Sequence, residues 1–256
     1  MQQNANTMTL SPEQQADAGA RLIGMTNIRP EHRILDLGCG TGTFTRELAL
    51  MAKRGHVVGI DDSAEHIAQA QSDAASCGNV TFLHTPSDAM GFLEEFDLIV
   101  SHSSFQWMKN QQKVMAESYK ALREGGRFFL SMPARDFGWE MNEALDGAFA
   151  SVGMQGAGRA IQPSWRFPLS EEMADYLRNA RFRTVDTRYE KCTLRFDSSS
   201  DVIAWGLSVC LPAFLPRVAP DLREEFKRAF ARNFEYYRND DGIAFSFRRL
   251  YASAAK

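Results

Sequence analysis

Three things are scarce in this sequence, and each scarcity excludes a class of protein. Only four cysteines occur in 256 residues, far apart and without a C-x-x-C pair. This excludes a disulfide framework and a cysteine zinc site, and it predicts reduced thiols. The formal net charge is only −3 at pH 7, with basic side chains interspersed among acidic ones. Because no basic footprint is present, we expect no nucleic-acid partner.

The third scarcity is of long apolar runs. No stretch is apolar over the roughly 20 residues that a membrane-spanning helix requires. The chain begins M-Q-Q-N-A-N-T-M-T-L, without the basic and apolar segments of a signal peptide. The five histidines lack the spacing of metal ligands. These features predict a cytoplasmic protein with no membrane partner and no bound metal.

Short apolar runs alternate with helical stretches along the first half of the chain. This pattern is typical of buried parallel strands joined by amphipathic helices. It predicts an α/β fold built on a doubly wound, mostly parallel sheet with helices on both faces. The strands predicted in this part are residues 33–37, 56–60, 80–84, 96–101 and 127–132.

The pattern changes after Pro133. We expect an α/β core at residues 1–133, a helical segment and return to the sheet at 134–199, a helical cap at 200–243, and a last strand at 244–256. The complete sheet would then have seven strands. Apolar side chains of the second half together predict a roomy apolar pocket, although a core position is the alternative for each one. They are Trp139, Phe149, Trp165, Phe167, Trp205, Leu211, Phe214 and Phe234.

A glycine loop follows the first predicted strand, in the sequence I-L-D-L-G-C-G-T-G. Its spacing is G-x-G-x-G, whereas dinucleotide-binding proteins have G-x-G-x-x-G. Asp36 precedes the first glycine by two residues, and its carboxylate would repel a pyrophosphate but attract an ammonium or sulfonium group. The loop therefore favours S-adenosylmethionine (SAM) over a nicotinamide or flavin dinucleotide. Asp61 ends the second apolar run, V-V-G-I-D, where it is placed to bind ribose hydroxyls.

Four segments resemble the principal motifs of class I SAM-dependent methyltransferases, over residues 29–133. They are D-L-G-C-G-T-G, V-V-G-I-D, F-D-L-I-V-S-H-S-S-F-Q-W and L-R-E-G-G-R-F-F-L-S. The resemblance implies that the glycine loop cradles the methionine part of SAM and that the acid after the second strand binds its ribose. The residues implied for cofactor binding are Asp36, Gly38, Cys39, Gly40, Gly42, Asp61, Asp62, Ser87, Asp88 and Ser101.

The adenine side departs from the family pattern. The family usually has G-D-A after the third strand, whereas this chain has T-P-S followed by Asp88. Either Asp88, next to Ser87, or a backbone carbonyl is expected to receive the adenine amine. Asp62 lies where the family often has an apolar residue beside adenine.

The segment S-H-S-S-F-Q-W follows the fourth strand, so it is expected to face the reacting methyl group. Its Gln106-Trp107 pair resembles the methyltransferases that esterify carboxylates such as trans-aconitate, malonyl carrier protein and juvenile hormone acid. A carboxylate is already ionised at pH 7 and needs no base; both side chains could donate hydrogen bonds to it. An alcohol or phenol would need a base, for which His102 is the candidate. The alternatives are packing by Trp107, backbone capping by Gln106 and a purely polar role for His102.

The sequence thus predicts methyl transfer from SAM to a small-molecule or carrier-protein-bound acyl acceptor, at a carboxylate oxygen. One alternative is C-, N- or hydroxyl-directed methylation with His102 as base. A nicotinamide-dependent oxidoreductase and a SAM-binding protein without turnover are the others. The identity of the acceptor and the oligomeric state stay open at this point.

Overall fold

The computed structural model describes residues 12–157 and 166–256. Its helices are α1 (Pro12–Thr26), α2 (Thr43–Met51), α3 (Ala64–Asp73), α4 (Gln111–Ala121), α5 (Arg135–Ser151), α6 (Ser170–Asn179), α7 (Ser199–Val209) and α8 (Arg223–Arg232). Its strands are β1 (Arg33–Leu37), β2 (His56–Asp61), β3 (Val80–His84), β4 (Phe96–His102), β5 (Leu122–Pro133), β6 (Arg183–Phe196), β7 (Arg238–Asn239) and β8 (Gly242–Ala255).

The sheet has the strand order β3-β2-β1-β4-β5-β8-β6, and the two-residue β7 pairs with β8. Strands β1 to β5 are parallel, and β8 is antiparallel to β5. This confirms the doubly wound, mostly parallel sheet, with β7 as an eighth strand. The chain moves outward from β1 to β3 and then crosses to β4 on the other side of β1. The crossover point between β1 and β4 is where open α/β sheets bind ligands.

Successive side chains of the central strands are buried on opposite faces of the sheet. Leu35 and Leu37 of β1 belong to one apolar cluster, and Ile34 belongs to the other. Helices cover both faces, with Val114, Met115, Met173 and Leu177 on the first and Leu22, Leu48 and Ala49 on the second. Because both faces are removed from water, these strands have continuous apolar sequences.

Three details differ from the sequence pattern. That pattern predicts a helix at 111–123 that stops at Gly125 and Gly126, a single helix at 220–238, and an inward-facing Met51 in the helix after the glycine loop. Gly125 and Gly126, expected to end a helix, lie within β5. The single helix expected over residues 220–238 is a 3-10 turn, then α8, then a second 3-10 turn. Met51, expected to face inward from α2, is 41% exposed. The buried positions of α2 are instead Thr45, Leu48 and Ala49.

The described chain forms two compact units. The first contains residues 18–134, 166–190 and 249–256, and therefore all the site residues that the sequence predicts. The second contains residues 12–17, 135–157 and 191–248.

The second unit has an aromatic core. Phe149 of α5 lies 4.8 Å from Phe226 of α8 between ring centroids, and Trp205 of α7 meets the ring of Phe234 edge-on at 5.5 Å. Several of the residues from which a pocket was predicted are therefore core residues, and the pocket itself stays a prediction. Those buried are Phe149, Trp205, Leu211, Phe214 and Phe234.

The remaining residues of that prediction lie elsewhere. Trp139 is 69% exposed, Phe167 belongs to the first unit, and Trp165 lies outside the described residues. No helix of the described chain is long and apolar enough by itself to cross a membrane. The pair Ser199–Ser208 and Leu211–Arg217, bent by 64°, reaches that length and hydropathy only in combination.

Candidate functional site

The glycine loop lies at the carboxyl end of β1, next to the crossover point. Its backbone is fastened to β2, because the N–H groups of Gly38 and Cys39 both donate to the Ile60 carbonyl, at 2.8 and 3.0 Å. The backbone has φ of +71°, +53° and +78° at Gly38, Gly40 and Gly42. L side chains adopt this left-handed region only at a cost, so the loop conformation itself requires glycine.

The three glycines differ in what surrounds them. A Cβ at Gly38 would lie 2.5 Å from Ser104 Cβ, and one at Gly42 would lie 2.6 Å from the Phe82 ring. A Cβ at Gly40 would meet no other atom within 4 Å. The helix that follows, α2, has no side-chain hydrogen bond at its N-cap. The loop therefore offers an open cradle at Gly40 beside the positive end of a helix.

Asp61 is the anchor between the glycine loop and α3. Its Oδ2 accepts from the Gly40 N–H at 2.9 Å, and its Oδ1 accepts from the Ser63 N–H at 3.0 Å and from His66 Nδ1 at 3.2 Å. Burial opposes ionisation of this carboxyl, but the three hydrogen bonds outweigh it and lower the pKa of Asp61. Asp61 is therefore a carboxylate at neutral pH, as a ribose-binding acid must be.

Asp36 has the opposite electrostatic character. It is only 2% exposed, and its Oδ2 accepts from Thr45 Oγ1 at 2.7 Å. Burial raises the pKa of Asp36 to about 7; the Thr45 hydrogen bond opposes the rise and the Asp61 charge adds to it. A cationic group bound beside Asp36 would stabilise the ionised form.

The end of β4 and the loop after it are hydrogen-bonded to the glycine loop through Ser101 and Ser104, respectively. Ser101 and Ser104 each donate a hydroxyl hydrogen to the Leu37 carbonyl, at 3.1 and 2.7 Å. The Ser101 side chain is fully buried and its hydroxyl donates to Leu37, and its expected contact with the cofactor stays a prediction. These hydrogen bonds join the segment after β4 to the glycine loop after β1, across the crossover point.

Cys39 belongs to the glycine loop, but its side chain is buried. Its side chain is buried in an apolar cluster with Ile67, Ala70 and Phe82, and burial raises the pKa of the thiol. Only the backbone of Cys39 follows the glycine loop, so any contact with a ligand would come from backbone atoms.

His102, the candidate base, packs against an aromatic ring and has one long polar contact, between its Nε2 and Ser103 Oγ at 3.5 Å. Its ring lies 4.9 Å from the Phe44 ring of α2 between centroids. Its Nδ1 is buried, and no hydrogen-bond partner for it occurs among the described residues. Burial, with a smaller effect of the Arg249 charge, lowers the pKa of His102 to about 3. The imidazole is therefore neutral and a weak base at pH 7.

Gln106 and Trp107 lie in the 3-10 turn Phe105–Trp107 that ends the segment. Gln106 is 6% exposed and its Nε2 donates to the Ser103 carbonyl at 2.8 Å. The structure thus favours the alternative of backbone capping by Gln106, and a hydrogen bond from Gln106 to an acceptor stays a prediction. Trp107 is half-buried, and it is the member of the pair with an accessible side chain.

The three residues expected near adenine lie at the same edge of the sheet. The Asp62 side chain is exposed, and its carbonyl accepts from His84 Nε2 at 3.1 Å. Ser87 and Asp88 are half-buried in the 3-10 turn after β3, which packs against α4. Their contact with adenine stays a prediction.

Sequence reasoning missed the side chains that support these groups. Arg249 is 2% exposed and donates to Ser131 Oγ from Nε at 3.1 Å and from Nη2 at 3.0 Å, and to Ser103 Oγ from Nη2 at 2.6 Å. A signal was available, because period-two alternation along β8 places Arg249 on the same face as buried Phe245 and Phe247. Two further supporting residues were missed: Thr45, which donates to Asp36, and His66, which donates to Asp61.

The residues present fit SAM: the space at Gly40 admits a ligand, and Asp36 and Asp61 suit its cationic and ribose parts. With the doubly wound sheet, they are the features of the class I SAM-dependent methyltransferase family. The protein-family description "Methyltransferase domain" matches residues 28–155, half of the chain. The chain belongs to this methyltransferase family, which removes the nicotinamide-dependent alternative.

Individual relatives agree with this membership. The malonyl-[acyl-carrier protein] O-methyltransferase of Bacillus cereus is 33% identical over 117 residues, which cover 46% of this chain and 42% of that protein. The chain therefore matches less than half the length of that relative. The trans-aconitate 2-methyltransferase of Azoarcus sp. is 24% identical over 253 residues, 95% of either chain. The solved YcgJ protein of Bacillus subtilis shares the fold, with a TM-score of 0.64 at 18% identity over 94% of this chain and 98% of that one.

Proposed function

We propose that the protein transfers the methyl group of SAM to a carboxylate oxygen of a small-molecule or carrier-protein-bound acyl acceptor. The state of His102 carries this proposal, because His102 is the only titratable side chain in segment 101–107. Packed on Phe44 and with a pKa of about 3, it is a poor general base. An acceptor that is already an anion needs no base.

The competing acceptors fit this segment less well. A hydroxyl must lose a proton to become a good nucleophile, and an amine is a cation at pH 7 that must lose one too. The buried guanidinium of Arg249 beside the segment also disfavours a cationic acceptor. A carboxylate, with an ordinary pKa near 4, meets neither difficulty.

The chain's own residues would bind and orient the reactants. Asp61 would hold the ribose hydroxyls, and Asp36 with the glycine loop would hold the methionine end of SAM. SAM supplies an electrophilic methyl group on its sulfonium sulfur when bound. Trp107 would orient the acceptor carboxylate beside segment 101–107. Because no proton is transferred, positioning and exclusion of water would supply most of the rate.

The names of two relatives support this class of acceptor. Malonyl carrier protein and trans-aconitate both present a carboxylate for methylation. The relatives therefore suggest a short acyl group, free or carrier-bound, as the first substrates to try.

The experiment is an acceptor panel with the purified protein and SAM. It contains trans-aconitate, a malonyl thioester, a catechol and a primary amine, and S-adenosylhomocysteine (SAH) release is measured. We expect turnover of a carboxylate, and mass spectrometry should find a methyl ester that mild alkali hydrolyses. Turnover of the catechol or amine alone would contradict the proposal and favour hydroxyl- or N-directed methylation. SAH binding without turnover of any acceptor would favour a binding protein.

A further inference from the structure

Segment 101–107 is hydrogen-bonded to a buried side chain of β8, that of Arg249. Arg249 of β8 lies opposite Pro133 of β5 in the antiparallel register, at the end of β5 that adjoins the reacting segment. Its side chain is 2% exposed and its guanidinium reaches two serines, Ser131 on β5 and Ser103 in the segment. One buried cation therefore joins three elements of the first unit: β8, β5 and the loop after β4.

Ser103 has an unusual backbone that needs such support. Its φ is +56°, a left-handed conformation that is unfavourable for a residue other than glycine. The Ser103 N–H donates to the Ser131 carbonyl at 2.7 Å, and the Ser103 carbonyl accepts from Gln106 Nε2 at 2.8 Å. Strained backbone of this kind persists only where surrounding contacts fix it. All three polar groups of Ser103 are thus engaged, the hydroxyl by Arg249.

From these contacts we infer that Arg249 is a positioning residue for the acceptor step. Through Ser103 it fixes the turn that carries Gln106 and Trp107, and through Ser131 it ties that turn to β5. This inference rests on the proposed function only in taking segment 101–107 as the acceptor side. Arg249 touches neither reactant in this arrangement, because it is almost wholly buried.

The fork geometry of arginine explains why this residue type is used. A guanidinium presents several N–H donors in a fixed plane, so one side chain can serve two acceptors at once. A lysine at the same place would offer a compact ammonium on a flexible stem, and we expect it to serve one serine well. A methionine would fill much of the volume and donate nothing.

The test compares R249M, R249K and S103A with the wild type, with R248M as matched control. Arg248 is the neighbouring residue on β8, and its Nε donates to Asp136 on the exposed side, 3.0 Å away. Amide hydrogen exchange of peptides covering 101–107 and 34–42 is measured first. We expect exchange in 101–107 to be at least tenfold faster in R249M and S103A, and unchanged in R248M. Exchange in the glycine loop, 34–42, should stay as in the wild type.

The second readout separates positioning from general damage. With a carboxylate acceptor, we expect kcat/KM to fall about 100-fold in R249M and about tenfold in R249K, since misplacement by about 1 Å can cost that much. SAH affinity should stay within twofold. Equal losses of SAH affinity and kcat/KM, or unchanged exchange in 101–107, would overturn the inference.

Two designs keep the test decisive. If R249M does not fold, S103A still removes the Arg249 contact with the segment, together with the 3.5 Å contact between Ser103 Oγ and His102 Nε2. Unchanged exchange in S103A would overturn the inference by itself. If the wild type methylates no carboxylate, the proposed function fails, but the exchange measurement still decides whether Arg249 fixes the segment.

Discussion

The Oδ2 atom of Asp61 accepts a hydrogen bond from the backbone N–H of Gly40 at 2.9 Å. The residue that would bind ribose therefore also fixes the loop that would bind methionine. The same carboxylate accepts from the Ser63 N–H and from His66. Since a carboxylate has about four lone-pair directions, three are occupied before any ligand is bound.

Replacing this carboxylate is expected to weaken cofactor binding strongly. In the wild type, both carboxylate oxygens of Asp61 accept hydrogen bonds. In Asp61→Asn, one oxygen is replaced by an NH₂ group, which cannot accept. At least one hydrogen bond to a charged group is therefore lost. We expect SAH affinity, measured by calorimetry, to fall by about 1–3 kcal/mol. Asp73→Asn, an exposed carboxylate at the far end of α3, is the control and should leave the affinity unchanged. A change within twofold for Asp61→Asn would show that the ribose is held elsewhere.

His66 gives cofactor binding an expected pH dependence. The hydrogen bond to Asp61 raises the pKa of His66, and the protonated ring holds Oδ1 of the carboxylate. A ribose diol that takes both oxygens must displace it, so SAH should bind more tightly as pH rises through the His66 pKa. In His66→Gln this dependence should disappear. Calorimetry from pH 6 to 9 measures both proteins, and parallel pH profiles would contradict the competition.

Gly38 and Gly40 are expected to respond differently to alanine. In Gly38→Ala the new Cβ would lie 2.5 Å from Ser104 Cβ, adding overpacking of about 1–3 kcal/mol to the left-handed strain. Gly40→Ala carries only the strain, of about 1–2 kcal/mol, but its methyl group enters the open cradle. Urea unfolding should therefore show the larger loss for Gly38→Ala. Calorimetry should show that folded Gly40→Ala loses SAH affinity, and retained affinity would place the ligand away from Gly40.

Asp36 is expected to make stability fall as pH rises. Burial raises its pKa to about 7 in the folded protein, against about 3.9 in an unfolded chain. Between these values the folded state keeps a proton that the unfolded state has lost, so unfolding becomes easier with increasing pH. We compare the free energy of unfolding of the wild type with that of Asp36→Asn. The difference, wild type minus variant, should fall by at most about 1.4 kcal/mol per pH unit from pH 4 to 7. Urea unfolding across this range measures it, and a flat difference would mean that Asp36 ionises normally.

His102 is expected to matter little for carboxylate methylation. Its pKa of about 3 means that it does not titrate between pH 5 and 9, so it should add no step to the rate profile there. His102→Gln should reduce kcat less than tenfold with a carboxylate acceptor, because no proton is transferred. Steady-state SAH release across this range tests both statements. Loss of activity by 100-fold or more would restore His102 as a base.

The parallel strands could be predicted because burial on both faces leaves an unmistakable apolar pattern. The predicted segments 33–37 and 80–84 coincide with β1 and β3. The acids and glycines of the loop could be predicted for a different reason, since their spacing along one turn fixes their geometry. Both patterns involve residues that are close together in sequence, so they can be recognised without knowledge of the tertiary structure.

The supporting contacts could not be predicted in the same way. Arg249 and Ser103 are 146 residues apart, and their hydrogen bond depends on the register of β8 against β5. The aromatic residues of the second half show the same limit. Their sequence marks them as apolar, but only the folded structure shows that Trp205 and Phe234 pack against each other.

The sheet order has a consequence for how this protein is made. Strand β8 lies between β5 and β6, although β6 is synthesised first. On the ribosome, β6 must therefore wait for a partner that has not yet been translated, and the four motif segments are complete long before Arg249 emerges. A nascent chain would thus contain all four motif segments of its family before Arg249 could bind Ser103 and Ser131. Under the proposed function, methylation of an acceptor should therefore begin only after β8 has paired between β5 and β6.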